Sequence, residues 1–218
     1  NIDTQVDRTK NRPLATGKAS IFEALLYLFI LLLLSFFLVL QLNFLTIKLS
    51  IFALLSVLIY PFCKRFFALP QLMLGISFGF GILMAFTAIQ NLLPFEAWAL
   101  YIANIFWALS FDSHYAIKDM KDDQKINVRS SALTFKHYTI PFILMSFIFM
   151  FLILLFIGYS NDYSMSFYLF LAISLFIALR GSIRGISMDP DKNFEAFLAN
   201  NYVGFFMFMA FALQMLKI

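Results

Sequence analysis

Three aspartates, Asp112, Asp119 and Asp123, are spaced so that a helix would place their carboxylates side by side. At 100° per residue, a helix over residues 111–125 puts the three within about 40° of one another and the lysines of that segment about 100–180° away. An ordinary solvated helix is the alternative interpretation, but such helices usually place opposite charges at positions i and i+4. Because Asp119 and Asp123 are a like-charged pair at that spacing, the pattern predicts a bound cation.

The residue types around this acidic group favour Mg²⁺ or Ca²⁺ as the cation. The chain has a single cysteine, Cys63, and two histidines, which argues against a zinc or copper site. Mg²⁺ typically binds one or two carboxylates together with substrate phosphates, and nearby lysines and arginines can bind the remaining phosphate oxygens. The segment therefore predicts a site for a metal–diphosphate ligand. His114 has no evident catalytic partner and is interpreted as a local hydrogen-bonding residue.

Two other polar clusters could supply further ligands. Asp3 lies in a charged N-terminal segment and could join the metal site, although composition alone favours a loop residue beside a basic run. Tyr60, Lys64 and Arg65 end an apolar segment. Lysine and arginine in that position are usually anchors that reach to the membrane surface. Taken alone, each cluster is better explained by a structural role.

The elements that would position these side chains are transmembrane helices. The 218 residues are 62% hydrophobic and 13% charged, and 30 of them are Phe, which is more apolar surface than one soluble core of this length buries. A membrane-spanning helix needs about 20 mostly apolar residues. Seven segments meet this requirement: 20–40, 44–63, 69–90, 95–111, 138–158, 163–180 and 199–217. The predicted fold is all-α, a polytopic transmembrane helical bundle with longer polar connections at 112–137 and 181–198.

The basic residues orient this bundle. With seven spans, fourteen of the 16 Lys and Arg residues fall on one side, which the positive-inside rule assigns to the cytoplasm. Most acidic residues share that side, and topology does not explain them because carboxylates contribute little to orientation. We therefore expect the functional site at the cytoplasmic face. The formal net charge of +4 is ordinary for a membrane protein with basic loops, and we expect no nucleic-acid partner.

Four segments, in order along the chain, match the motifs of a known family. They are residues 3–17, the end of a first aspartate motif; 60–75, a central loop; 111–132, a second aspartate motif and the segment after it; and 194–204, the entry to a last helix. Together they resemble the UbiA superfamily of membrane prenyltransferases, most closely the 4-hydroxybenzoate polyprenyltransferases of ubiquinone biosynthesis. The resemblance covers the whole chain, and four spaced matches are specific where one would not be.

The resemblance implies nine helices around a central cavity, with both aspartate motifs on cytoplasmic loops. Residues 1–218 would then form a single UbiA-like domain that lacks its first two helices, with Asp3 as the last aspartate of a cut first motif. Phe111 replaces the Tyr usual in the closest relatives, which removes one hydroxyl, and Ser113 replaces the more usual Thr. The surrounding lipid would be that of a bacterial inner membrane.

The resemblance also implies a reaction. A polyprenyl group would pass from a polyprenyl diphosphate to 4-hydroxybenzoate, at a ring carbon ortho to the phenol, with Mg²⁺ as the cofactor. The resemblance assigns Mg²⁺ binding to Asp3, Asp119 and Asp123. It assigns diphosphate binding to Tyr60, Lys64 and Arg65. Asp112 would position or deprotonate the phenol, or alternatively bind the metal.

Two other functions are weighed against this one. The nearer is a sister branch of the same superfamily with another acceptor, of the haem O, menaquinone or tocopherol type. The segments Tyr-Pro-x-x-Lys-Arg, Asp-Ser-x-Tyr-Ala and Asn-Asn-Tyr-Val-Gly favour the hydroxybenzoate branch. The more distant alternative is a transporter, in which ionisable residues within the spans line a path. No carboxylate lies in the middle of a predicted span, so this alternative is disfavoured.

Overall fold

Residues 9–215, the part that the computed structural model describes, contain eight α-helices joined by short connections and no β-strand. The helices are α1 (Ile21–Val39), α2 (Phe44–Phe66), α3 (Pro70–Gln90), α4 (Phe95–Lys125), α5 (Ser131–Phe135), α6 (Thr139–Ser160), α7 (Met165–Arg184) and α8 (Pro190–Met215), with a single 3₁₀ turn, Lys136–Tyr138, before α6. The predicted all-α fold is confirmed. Asp3 lies outside the described residues.

Six of these helices are long and apolar enough to cross a membrane, namely α1, α2, α3, α6 with the residues before it, α7 and α8. The protein is therefore an integral membrane protein. α4 does not reach the same apolarity, so the predicted count of seven spans stays a prediction. Its lower apolarity has a structural reason, because α4 packs against α3, α6 and α8 and presents much of its surface to protein rather than to lipid.

Both polar connections expected from the sequence are largely helical, as the spacing predicts for residues 111–125. α4 continues without a break to Lys125, and α8 begins at Pro190, so that much of 112–137 and 181–198 is helical. The apolar pattern predicts where a membrane span ends, but the helix itself can continue into the polar sequence that follows. Asp189 starts α8 early, because its Oδ1 accepts hydrogen bonds from the N–H groups of Asp191 and Lys192 at 2.9 and 3.0 Å. The Lys192 N–H, the larger cause, holds the pKa of Asp189 below its ordinary value.

Small residues allow α3 and α4 to pack closely. A Cβ on Gly75 would lie 2.8 Å from the Cα of Ile105, and one on Gly79 would lie 2.6 Å from the Tyr101 ring. The side chain of Asn104 also donates a hydrogen bond to the Gly75 carbonyl at 2.9 Å. Close backbone approach through small residues is how helices associate where lipid removes the hydrophobic driving force. The contact aligns the start of α3 with the polar half of α4.

The apolar core lies on the other side of α4, between α6 and α7. Phe147, Ile143 and Phe167 are fully buried there, and alanines of α4 face them. By contrast, α1 has no buried residue and packs only weakly against α2. α4 is therefore the central helix, with an apolar core on one side and the approach to α2 and α3 on the other.

Candidate functional site

The carboxylates of Asp119 and Asp123 are buried on the C-terminal half of α4, at 8% and 5% exposure. Asp112, two turns earlier, is half-buried, and its carboxylate interacts electrostatically with both. The lysines of this segment lie on the more exposed side of the helix and pair elsewhere: Lys118 with Asp191 of α8 at 2.6 Å and Lys125 with Asp122 at 2.9 Å. The structure therefore separates carboxylates from lysines as the helical spacing predicts, and it directs two of those lysines away from the acidic group.

The last turn of α2 faces this acidic group. Tyr60 and Lys64, one turn apart, both interact electrostatically with the Asp112 carboxylate. Arg65 is exposed, and its guanidinium lies 5.9 Å from the centre of the Phe62 ring. The structure thus brings two of the three residues predicted for the diphosphate together with Asp112 and places Arg65 on a different side of the helix.

Gln71 of α3 is a site residue that sequence reasoning missed. Its side chain is 1% exposed, and its Oε1 accepts a hydrogen bond from the Ser131 N–H at 3.2 Å. The amide NH₂ is therefore the group that is left to interact with the Asp112 carboxylate, on which the Gln71 side chain acts electrostatically. The motif 60–75 contains this glutamine, but its sequence does not reveal that Asp112 is the partner.

The segment after α4 folds back and ties these elements together. The Arg129 N–H donates to the Lys64 carbonyl at 2.7 Å, which joins the segment to the end of α2. The Ser113 hydroxyl donates to the Ser131 hydroxyl at 2.7 Å, which joins α4 to the start of α5. With the Gln71 contact, these bonds hold the ends of α2, α3, α4 and α5 in one arrangement.

A cavity of about 290 Å³ lies between α3, α4 and α8. Its lining includes four aromatic side chains, Phe78, Trp107, Phe111 and Phe197, and three asparagines, at positions 104, 200 and 201. The Trp107 indole N–H donates to the Asn200 Oδ1 at 3.1 Å, so that this polar end of the ring is satisfied within the wall. Phe111, which lines the cavity, directly precedes Asp112 on α4, so the cavity and the acidic group share this helix.

The family model described as "UbiA prenyltransferase family" matches residues 1–212. The chain belongs to the UbiA prenyltransferase family. It is 46% identical over 217 residues to a 4-hydroxybenzoate octaprenyltransferase of Nitrosomonas eutropha, with 99% of this chain and 75% of the relative covered. A protein of the same name from Polynucleobacter necessarius is 41% identical over 217 residues, with 98% of this chain and 74% of the relative covered.

The fold of the UbiA family is also seen in a solved structure. The apo structure of a UbiA homolog from Aeropyrum pernix K1 has a TM-score of 0.84 to this chain at 22% identity, covering 98% of this chain and 80% of that one. Membership in the UbiA family makes this protein a membrane prenyltransferase. The resemblance inferred from the four motifs is therefore confirmed.

The carboxylate oxygens of the described residues decide whether a divalent metal ion fits this site. Asp119 and Asp123 offer two carboxylates one turn apart on one helix face. Within residues 9–215, no group of three or more His, Cys, Asp or Glu side chains is arranged to hold a metal ion. Mg²⁺ usually takes one or two carboxylates and completes its coordination with phosphate oxygens and water. The pair therefore fits Mg²⁺ that is held jointly with a diphosphate.

His114 has a structural role in this UbiA-family bundle, through contacts that are not local. Its Nδ1 lies 2.8 Å from Asn193 Oδ1, and its Nε2 lies 3.1 Å from the Ser182 hydroxyl. The Asn193 NH₂ donates to the Gly185 and Asp189 carbonyls, so its Oδ1 must accept, which puts the His114 proton on Nδ1. The interpretation as a hydrogen-bonding residue is confirmed, but the histidine links α4 to α7 and α8 rather than to its own loop.

Proposed function

We propose that this prenyltransferase transfers a polyprenyl group from a polyprenyl diphosphate to the ring of 4-hydroxybenzoate, in ubiquinone biosynthesis. The observation that carries this proposal is the buried pair Asp119 and Asp123 on α4, with Asp112 and Lys64 interacting beside it. Relatives at 40–46% identity that are named 4-hydroxybenzoate octaprenyltransferase support the choice of acceptor.

The diphosphate binds at the ends of α2 and α4. Asp119 and Asp123 hold Mg²⁺, and Asp3, which lies outside the described residues, contributes to a second Mg²⁺. When bound, the metal neutralises charge that develops on the diphosphate leaving group. The Lys64 ammonium and the Tyr60 hydroxyl donate hydrogen bonds to diphosphate oxygens. Arg65 would have to turn from its position over Phe62 to take part, so its predicted contribution is smaller.

The acceptor binds where the aromatic cavity meets Asp112. The allylic C–O bond breaks with its electron pair leaving on the diphosphate, the ring carbon ortho to the phenol forms the new C–C bond, and that carbon then loses its proton. Asp112 accepts the phenol proton or orients the hydroxyl. The amide of buried Gln71 and the Lys64 ammonium act on this carboxylate and would help to orient it toward the acceptor.

The prenyl chain lies in the apolar cavity between α3, α4 and α8. Faces of Phe78, Trp107 and Phe111 there can stabilise an allylic cation through their π electrons. A lining with little polar surface also keeps water from the cation, which would otherwise hydrolyse it. We place this site at the cytoplasmic face of a bacterial inner membrane, because the basic residues concentrate on that side.

An assay of the complete protein in membranes tests the proposal. The expected result is a prenylated 4-hydroxybenzoate, identified by its product mass, when a polyprenyl diphosphate and Mg²⁺ are supplied, and loss of product when EDTA removes the metal. The matched incubation replaces 4-hydroxybenzoate with the aromatic acceptors of sister branches. A product with one of those acceptors alone would assign the protein to that branch, and full turnover in EDTA would refute the metal assignment.

A further inference from the structure

A second charged cavity lies on the outer surface of the bundle, away from the residues of the candidate site. It is a groove of about 280 Å³ between α7 and α8, with no lining residue from α2, α3 or α4. Three cations line it, Arg180, Arg184 and Lys192, together with one carboxylate, Glu195. The end of α7 and the start of α8 are joined by a short turn, so these charges gather at one edge of the predicted membrane-spanning region.

The groove carries net positive charge, because three cations and one carboxylate line it, and Asp189 offsets part of this charge through its electrostatic interaction with Lys192. Arg184 pairs with Glu195 at 3.0 Å, and both side chains are more than half exposed. In the part of the chain that the structure describes, neither Arg180 nor Lys192 forms a salt bridge with a carboxylate. Two cationic side chains therefore remain available at the groove for an anionic group.

Below these charges the groove is apolar and narrow. Gly181 and Ala196 form a shallow floor, where a Cβ on Gly181 would lie 3.2 Å from the Cβ of Ala196. Phe176 and Tyr202 form the walls toward the membrane interior, with Phe176 about 6 Å along α7 from Arg180. A second cavity shares Tyr202 with the groove and extends it past the phenylalanines at positions 205 and 206 of α8.

We propose that this groove binds an anionic phospholipid, with the phosphodiester on Arg180 and Lys192 and an acyl chain along Phe176 and Tyr202. A basic cleft between transmembrane helices at the cytoplasmic side is a known kind of lipid headgroup site. A single phosphodiester charge suits two cations, whereas a diphosphate would need more positive charge or a carboxylate-bound metal. Glu195, the carboxylate of this lining, is already paired with Arg184. The proposal does not depend on which acceptor the enzyme prenylates.

Lipid retention by the complete protein tests this site. The protein is purified in neutral detergent, equilibrated with micelles of phosphatidylglycerol or phosphatidylcholine, and examined by native mass spectrometry. The wild type is expected to retain phosphatidylglycerol in preference to phosphatidylcholine. Arg180→Ala with Lys192→Ala should weaken that retention about thirtyfold, since each cation near an anionic lipid contributes roughly a factor of five to six.

Three further variants separate the groove from general basic attraction. Lys10→Ala with Lys18→Ala removes two exposed cations that precede α1 and should leave retention unchanged. Arg180→Lys with Lys192→Arg keeps the charge and should restore retention. Ala199→Leu fills the apolar part of the groove without changing any charge and should also weaken retention, which provides a second test if the double alanine variant does not fold.

Three results would overturn the proposal. The first is that both the double alanine variant and Ala199→Leu retain as much phosphatidylglycerol as the wild type. The second is that the wild type retains phosphatidylcholine and phosphatidylglycerol equally. The third is that an equimolar concentration of a polyprenyl diphosphate displaces the bound lipid. The last result would make the groove a second substrate site.

Discussion

Asp119 and Asp123 are like-charged neighbours one turn apart on α4, and both are buried. Placing carboxylates at positions i and i+4 destabilises a helix, and burying them adds a desolvation penalty unless positive charge compensates it. Asp112 lies on the same face of α4 as this pair and interacts with the Lys64 ammonium, so the protein supplies part of that compensation. A divalent cation that is held with a diphosphate would add further positive charge beside the pair.

Replacement of Asp119 or Asp123 by alanine should therefore abolish prenyl transfer, whereas replacement of the neighbouring Asp122 should leave it unchanged. We expect Asp119→Ala and Asp123→Ala in the complete protein to lower Mg²⁺-dependent prenyl transfer at least about 10²–10³-fold, as the loss of a charge-stabilising group typically does. Asp122→Ala is the matched control, because Asp122 pairs with Lys125 outside the buried pair. Turnover of the purified variants measures this difference, and near-normal turnover in either buried variant would refute the site assignment.

Residue-scale prediction from sequence succeeded where the relevant geometry lies within one helix. The separation of aspartates from lysines on α4 follows from spacing alone. Lys64 faces Asp112 whereas Arg65 faces outward, because adjacent residues of a helix point about 100° apart. Only the packing of α2 against the other helices decides which of the two faces Asp112. Gln71 and the partners of His114 lie on other helices, so spacing along the chain carries no information about them.

At the scale of elements, α4 both crosses the bundle and carries the site. Its 31 residues span about 46 Å, more than the hydrocarbon core of about 30 Å. The carboxylates on its last turns can therefore lie beyond the apolar layer while the first turns remain packed inside the bundle. Its position depends on close contact with α3 through Gly75 and Gly79.

A methyl group at that contact should destabilise the protein. In Gly75→Ala the new Cβ would lie 2.8 Å from the Cα of Ile105, a backbone atom that cannot move aside without shifting α4. We expect a loss of about 1–3 kcal/mol in the free energy of unfolding, the usual cost of overpacking. The thermal unfolding midpoint of the protein in detergent measures this loss.

Gly81→Ala is the control for that experiment. It lies on the same helix, and a Cβ at this position would meet nothing within 4 Å. Alanine is also the better helix former, so this variant should be as stable as the wild type or slightly more stable. Equal destabilisation of both variants would show that the close α3–α4 contact at Gly75 is not the cause.

At the scale of the whole molecule, the predicted topology places Lys121 of α4 in the cytoplasm and Ser160, at the end of α6, on the opposite side. Both positions are exposed, and the native Cys63 is 2% exposed and should remain silent toward thiol reagents. In inside-out vesicles a membrane-impermeant maleimide should label Lys121→Cys but not Ser160→Cys, and right-side-out vesicles should reverse the result. Labelling of both positions from one side would contradict the span count.

The sequence by itself determined the all-α membrane class, the family and the clustering of carboxylates on one face of α4. These properties follow from composition, motif order and the angle between successive residues of a helix, none of which requires knowledge of neighbouring helices. The tertiary structure alone decided which side chains of α2 interact with Asp112, the position of Gln71 near that carboxylate and the cavity between α3, α4 and α8. Each of these depends on how helices distant in sequence pack together, because the distance between two side chains on different helices is set by docking and not by spacing along the chain.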